Sequence, residues 1–294
     1  MRKNVFYVAV SALLAASVMS ACTDNSPYPG YKKTENGMYY RYFTQNEGRT
    51  ANPGDIVEVN LSYYLMKADG DSLIYTTTTL PEAAYDMVRE PTFPGDLYEG
   101  FAMMHKGDSM SMIMSADSVF LRQFRVPILP AFVTPGDMIR WEVKMNDLLT
   151  EQEFNAKQEA KEEAAFAEAQ QVLNAFLAEN GIETEPTESG LVYVCTQPGK
   201  GPQPQVGQNV KVHYSGKLLD GTGFDSSYDR GEPISFPLGT GHVIPGWDEG
   251  IALMHKGEKG VLYIPAKLAY GGQNAGPIPL YSNLIFEVEL VDIE

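Results

Sequence analysis

The feature that most constrains this chain is a pattern written twice. Pro94-Gly95 followed by Glu99-Gly100-Phe101-Ala102-Met103-Met104-His105-Lys106-Gly107-Asp108 returns about 150 positions later as Pro245-Gly246 followed by Glu249-Gly250-Ile251-Ala252-Leu253-Met254-His255-Lys256-Gly257-Glu258. Asn36-Gly37-Met38-Tyr39-Tyr40 parallels Ser189-Gly190-Leu191-Val192-Tyr193, and the alternating Val57-x-Val59-x-Leu61 parallels Val210-x-Val212-x-Tyr214. Trp141-Glu142-Val143 matches Phe286-Glu287-Val288. A period this long exceeds that of solenoid units, so it marks two related domains and not an array. Alternating apolar residues between Gly, Pro and Asp turns read as half-buried strands, with one short helix per copy, placed around Trp247–Met254 in the second. Strands with a single helix predict an α+β architecture, each domain a curved antiparallel sheet packed on a short helix. His105 and His255 recur inside the same turn-like run and read as turn residues, not metal ligands.

Residues 151–180 hold eight alanines and neither Gly nor Pro, which favours a helix joining the copies. Phe166, Ala169, Leu173, Phe176 and Leu177 form one apolar stripe at helical period, and Gly181 supplies a stop. The stripe needs a partner: one of the domains, or a second copy of the chain in a homodimer.

At the N-terminus Arg2 and Lys3 precede an apolar run from Val5 to Val18 and then Met19-Ser20-Ala21-Cys22. These are the parts of a secretory signal, and the run is short for a spanning helix of ~20 residues. The cysteine after the small pair resembles the acylated residue of a bacterial lipoprotein, with Met19 standing where that pattern most often has Leu. The expected organisation is therefore a signal peptide at 1–21, lipidation at Cys22, a tether over 22–35, a first domain over 36–149, a helical linker over 150–181 and a second domain over 182–294. A membrane-anchored lipoprotein of the bacterial envelope follows, periplasmic or at the cell surface. With Cys22 acylated, Cys195 has no partner and no disulfide is expected. A hydrophobic content of 44% against 20% charged excludes wholesale disorder. The net charge of −16, −18 once Arg2 and Lys3 are removed, argues against a nucleic-acid partner.

The second copy carries no nucleophile–base pair, phosphate loop or calcium loop, and Gly239-x-Gly241 lacks the third glycine of a dinucleotide site and reads as a turn. What it carries is an aromatic and aliphatic set with few polar members. Val212-His213-Tyr214-Ser215-Gly216, Asp220-Gly221-x-Gly223-Phe224-Asp225-Ser226-Ser227, Val243-Ile244-Pro245-Gly246-Trp247-Asp248-Glu249-Gly250, Ala269-Tyr270-Gly271 and Leu284-Ile285-Phe286-Glu287-Val288 stand in order over about residues 188–294. This region resembles the FKBP family of peptidyl-prolyl cis-trans isomerases, which act on proline-containing polypeptides without a cofactor. The resemblance implies a pocket floored by Trp247 and walled by Tyr214, Phe224, Val243, Ile244 and Phe286. Ile234 takes a position often aromatic in the family, and Ile278 matches its isoleucine at the rim. Tyr270 is expected to offer its hydroxyl to the substrate carbonyl, with the Ile244 N–H as a second donor, and Asp225 to be held at the pocket edge by Arg230 and the Tyr214 hydroxyl. Pro279-Leu280 stands where the family commonly has Pro-Pro.

In the first copy Tyr214, Phe224, Asp225, Trp247, Tyr270 and Phe286 become Leu61, Ile74, Tyr75, Leu97, Phe120 and Trp141. Apolar character survives while two hydroxyls and a carboxylate are lost, so a folded but catalytically weak or silent FKBP-like domain is expected. Met110, Met112 and Met114 read as one face of a buried strand, against an adaptable exposed surface. The function expected is a prolyl isomerase assisting the folding of exported proteins; the alternatives are a peptide-binding chaperone and a structural envelope lipoprotein without turnover.

Overall fold

The computed structural model describes residues 26–294. The expected signal peptide, Cys22 and the start of the tether lie outside the described residues. The chain divides after Phe154 into two compact units.

In the N-terminal unit, β1 (Lys32–Lys33), β2 (Tyr39–Thr44), β3 (Ile56–Met66), β4 (Ser72–Thr76) and β5 (Ala84–Met87) precede helix α1 (Leu97–Met103); β6 (Ser109–Ser115), the turn α2 (Ala116–Ser118) and β7 (Met138–Leu149) follow. The strands form one antiparallel sheet in the order β1-β2-β6-β7-β3-β4, with β5 also on β3. Helix α3 (Glu151–Glu179) comes next, opened by a reciprocal cap between Thr150 and Glu153 and closed before Gly181, whose φ is 66°. The C-terminal unit contains β8 (Val192–Gln197), β9 (Asn209–Leu218), β10 (Gly223–Ser226), the turn α4 (Ser227–Arg230), β11 (Ile234–Pro237), α5 (Pro245–Ala252), β12 (Lys259–Ile264) and β13 (Leu284–Ile293). Its antiparallel order is β8-β12-β13-β9-β10, with β11 on β9. Strand for strand this is the order β2-β6-β7-β3-β4, with β5 on β3.

The parallel extends to single contacts. Gly250 on α5 lies so close to the sheet that a Cβ would fall 2.5 Å from Leu262, and Gly100 on α1 bears the same relation to Met112. Asp108 and Glu258, both buried, accept from the backbone N–H of His105 (2.8 Å) and His255 (3.0 Å). Gly107 and Gly257, at φ 87° and 84°, donate to the carbonyls of Met145 and Leu290, each at 2.7 Å. Both histidines are therefore components of a repeated turn that bolts the helix end to the sheet.

Met110, Met112 and Met114 are buried, and so are Ser111 and Ile113 between them. Both faces of β6 are covered, not one. Residues ahead of the boundary expected at 36 help to cover the second face: the Tyr31 hydroxyl donates to Ser111 Oγ at 2.8 Å, and Lys32–Lys33 extend the sheet. The stripe on α3 packs against its own unit. Leu173 and Ala169 are buried, Phe166 meets Tyr281 edge-on at 5.4 Å, and Phe176 lies 6.2 Å from Tyr263. Cys195 is free and exposed. Among the described residues no helix is long and apolar enough to cross a membrane.

Candidate active site

A cleft of about 1130 Å3 opens on one face of the C-terminal sheet. The local sequence explains its shape. Pro245 occupies the first turn of α5, where its missing N–H costs no helical hydrogen bond, and starts the helix directly beneath the cleft. Trp247, two residues on, is 3% exposed and forms the floor. The rings of Tyr214 on β9 and Phe286 on β13 stand nearly perpendicular to it at 4.9 and 5.2 Å, edges against face, the arrangement aromatic quadrupoles favour. Phe224 on β10 meets Phe286 at 5.5 Å in the same manner.

These rings need room, and Gly216 provides it. It faces Phe286 across the β9–β13 ladder, and a Cβ there would lie 2.7 Å from both Phe224 and Phe286. The Gly239–Gly241 turn is pinned to α5 because both glycine amides donate to Asp248, at 2.7 and 3.0 Å. Ser227 ties α4 to the sheet by accepting from the Tyr214 N–H at 2.7 Å.

Tyr214, Phe224, Asp225, Ile234, Val243, Ile244, Trp247, Tyr270, Ile278 and Phe286 all line this one cleft. Arg230 stands behind it. Its guanidinium donates to Asp225 Oδ1 at 2.5 Å and to the Tyr214 hydroxyl at 2.6 Å, while that hydroxyl donates to the other Asp225 oxygen. Burial pushes the Asp225 carboxyl up, but the hydrogen bonds from Tyr214 and Arg230 outweigh it and hold the carboxyl below the usual aspartate value. Asp225 is therefore a fixed anion at neutral pH, with its charge matched by Arg230. Burial, and then the Asp225 charge, raise the Tyr270 phenol. It remains a neutral O–H donor, and no group among the described residues engages it. The Ile244 N–H, at the mouth of α5, is likewise without a partner among the described residues. The cleft thus combines an apolar floor, two open donors and a neutralised ion pair.

Sequence reasoning missed the wall contributed by α3. Gln158, Lys161, Glu162 and Phe166 also line the cleft, as do Lys267 and Tyr281. The apolar period of α3 signalled that it packs, but periodicity does not say against what.

The family described as FKBP-type peptidyl-prolyl cis-trans isomerase matches residues 201–291. FK506-binding protein 2 of Yarrowia lipolytica is 59% identical over 101 residues, which are 34% of this chain and 67% of that protein. The chain belongs to the FKBP-type peptidyl-prolyl cis-trans isomerases. The isomerase FkpA of Aeromonas hydrophila is 45% identical over 162 residues, 52% of this chain and 60% of its own length. The chain thus spans less than two thirds of that FKBP-type relative. The crystal structure of FkpA from Escherichia coli shares 38% identity over 50% of this chain and 74% of its own, with a TM-score of 0.41. Residues 201–291, which hold most of the cleft, are the FKBP-type isomerase domain.

Proposed function

We infer that this cleft isomerises X-Pro bonds of polypeptides, in a protein that assists the folding of exported chains in the bacterial envelope. Rotation about a peptide bond meets a barrier of ~18–20 kcal/mol because amide resonance, which separates charge, is lost in the twisted state. Water stabilises the planar, more dipolar form. A proline ring seated on Trp247 leaves that water behind, so the ground state is disfavoured relative to the twisted one, as catalysis requires. An acceleration of ~10⁶ needs about 8 kcal/mol, and one positioned donor supplies about 3–4. Tyr270 therefore shares the work with the Ile244 N–H, with desolvation and with shape. No proton is transferred. Asp225, paired with Arg230, orients Tyr214 and the cleft edge and is a positioning residue.

The observation that carries this reading is the pair of open donors, the Tyr270 hydroxyl and the Ile244 N–H, above an apolar floor with no unpaired charge among its aromatic walls. The N-terminal unit reads as an FKBP-like domain that has lost catalysis, supported by its equal strand order and by Leu61, Tyr75 and Phe120 at the positions of Tyr214, Asp225 and Tyr270. Its service would be docking, holding a client or spacing the enzyme from a membrane to which acylated Cys22 ties it. Self-association through α3 would draw on the face around exposed Val172, since Ala169 and Leu173 of its apolar stripe are buried.

Isomerisation of a proline peptide by the full chain tests the reading. Turnover that falls in Trp247→Ala and Tyr270→Phe is expected. Absent turnover in the wild type, with client aggregation still suppressed, would replace it with a peptide-holding chaperone. Unchanged membrane association of Cys22→Ser would remove the lipid anchor.

A further inference from the structure

One wall of the cleft lies ahead of the family-matched span. Gln158, Lys161, Glu162 and Phe166 of α3 line it, and the match begins at residue 201. Their spacing puts them on one side of the helix. Phe166 anchors that side, packing edge-on against Tyr281 and lying 3.3 Å from where a Cβ on Gly271 would be. One turn further on, the Ala169 carbonyl accepts from Asn283 Nδ2 at 2.6 Å, and Asn283 is buried. Because the helix is continuous through these contacts, the preceding turn is held at the cleft edge and not left free.

That edge is charged in an uneven way. Lys161 on α3 and Lys267, from the turn Ala266–Leu268, both line the cleft, are exposed and have no carboxylate partner among the described residues. Glu162 lines the cleft without a cationic partner. Asp225 is neutralised by Arg230. The rim therefore presents two unpaired cations and one unpaired anion, although residues 181–294 carry a net charge of −7. A polypeptide longer than the X-Pro pair must leave the cleft over its rim, and rim charges select partners and fix register.

We propose that the α3 edge, through Lys161 and Glu162 together with Lys267, is an extended subsite that reads the charge of substrate residues flanking the proline and favours an acidic one. The proposal rests on the isomerase reading of the cleft. The helix joining the two units is then part of the substrate site as well as a connection.

The test uses the full chain and matched proline peptides in which one flanking position, on either side of the proline, is Asp, Ala or Lys, with kcat/KM measured at low salt. The wild type is expected to prefer the Asp over the Lys peptide by about threefold. Lys161→Glu removes or inverts that preference, Glu162→Lys widens it, and high salt compresses both effects. Glu159→Lys makes the same charge change at an exposed α3 position outside the cleft and leaves the ratio as it was. The proposal is overturned if neither cleft-edge variant moves the ratio, or if Glu159→Lys moves it as much as Glu162→Lys. Absence of turnover on every peptide would defeat the isomerase reading instead. Peptide affinities from titration calorimetry, compared in the same ratio, would then decide the subsite on their own.

Discussion

Gly216 stands opposite Phe286 in the C-terminal sheet, and Tyr63 stands opposite Trp141 in the N-terminal one. The two positions share their surroundings. Asp225 pairs beside Gly216 as Tyr75 pairs beside Tyr63, and Thr77 accepts from the Leu61 N–H at 2.9 Å as Ser227 accepts from that of Tyr214. With no side chain at 216, three rings stand around an open floor. With a phenol at 63, the space is occupied: Tyr63 packs tilted against Trp141 at 4.6 Å and meets Phe124 at 5.7 Å, and Phe120 closes on Phe124 and Phe132 at 5.7 and 5.9 Å. The same sheet order can therefore hold a cleft or a filled core, depending on which side chains occupy a few facing positions. Phe120, at the position of Tyr270, also has no hydroxyl to offer.

The comparison breaks most visibly at the helix beneath each sheet. Trp247→Ala removes the floor, and we expect a loss of about 3–5 kcal/mol in C-terminal stability together with about a hundredfold fall in kcat/KM. Leu97→Ala, its counterpart, costs about 2–5 kcal/mol in the N-terminal unit and leaves isomerisation intact. Denaturant unfolding and a peptide assay on each variant check both halves. Gly216→Ala forces Phe224 and Phe286 apart and is expected to lower kcat/KM by about tenfold or more. Tyr63→Ala opens space in the other sheet yet creates no isomerase, because Phe120 and Tyr75 stand where Tyr270 and Asp225 supply a hydroxyl and a carboxylate. Activity gained by Tyr63→Ala in a chain already carrying Trp247→Ala would show that filling alone silences the N-terminal unit.

Tyr270→Phe removes one open donor. About a tenfold loss is expected, in kcat more than in KM, because the hydroxyl acts on the twisted bond. The smallest effect concerns what the two sheets share. Burial pushes the carboxyls of Asp108 and Glu258 up, but hydrogen bonds from Tyr193 to Glu258 and from the turn amides to both outweigh it and hold them low. A carboxyl whose folded value lies below its unfolded one stabilises fully above the ordinary value of about 4, and that contribution disappears as pH falls through the folded value. Both units are expected to lose stability on acidification below about pH 4. Glu258→Gln should flatten that response in the C-terminal unit alone, as read by pH-dependent unfolding.

Much of this could be read from residues, and the exceptions have physical reasons. The run through His105 and His255 carries its turn in its own glycine and acid, so local chemistry sufficed. The aromatic set from Tyr214 to Phe286 was assembled from the resemblance, and all of its lining residues meet in one cleft. Alternation in Met110, Met112 and Met114 identified a strand, but a period of two cannot reveal that Tyr31 returns from outside the expected domain to cover Ser111. Likewise the stripe through Phe166 and Leu173 predicted packing, while the bond from Asn283 to Ala169 joins residues 114 positions apart in sequence. No local pattern encodes such a contact, and that contact holds Lys161 and Glu162 at the cleft edge.

The central claim is that one cleft, and not its filled counterpart, isomerises proline bonds. Its most direct test is cis-trans isomerisation by the full chain carrying Trp247→Ala with Tyr270→Phe, against the full chain carrying Leu97→Ala with Tyr63→Ala. The two changes together are expected to cost the first chain about a thousandfold in kcat/KM, while the second keeps the wild-type rate. Wild-type catalysis surviving in the first, or vanishing from a folded second, would contradict it.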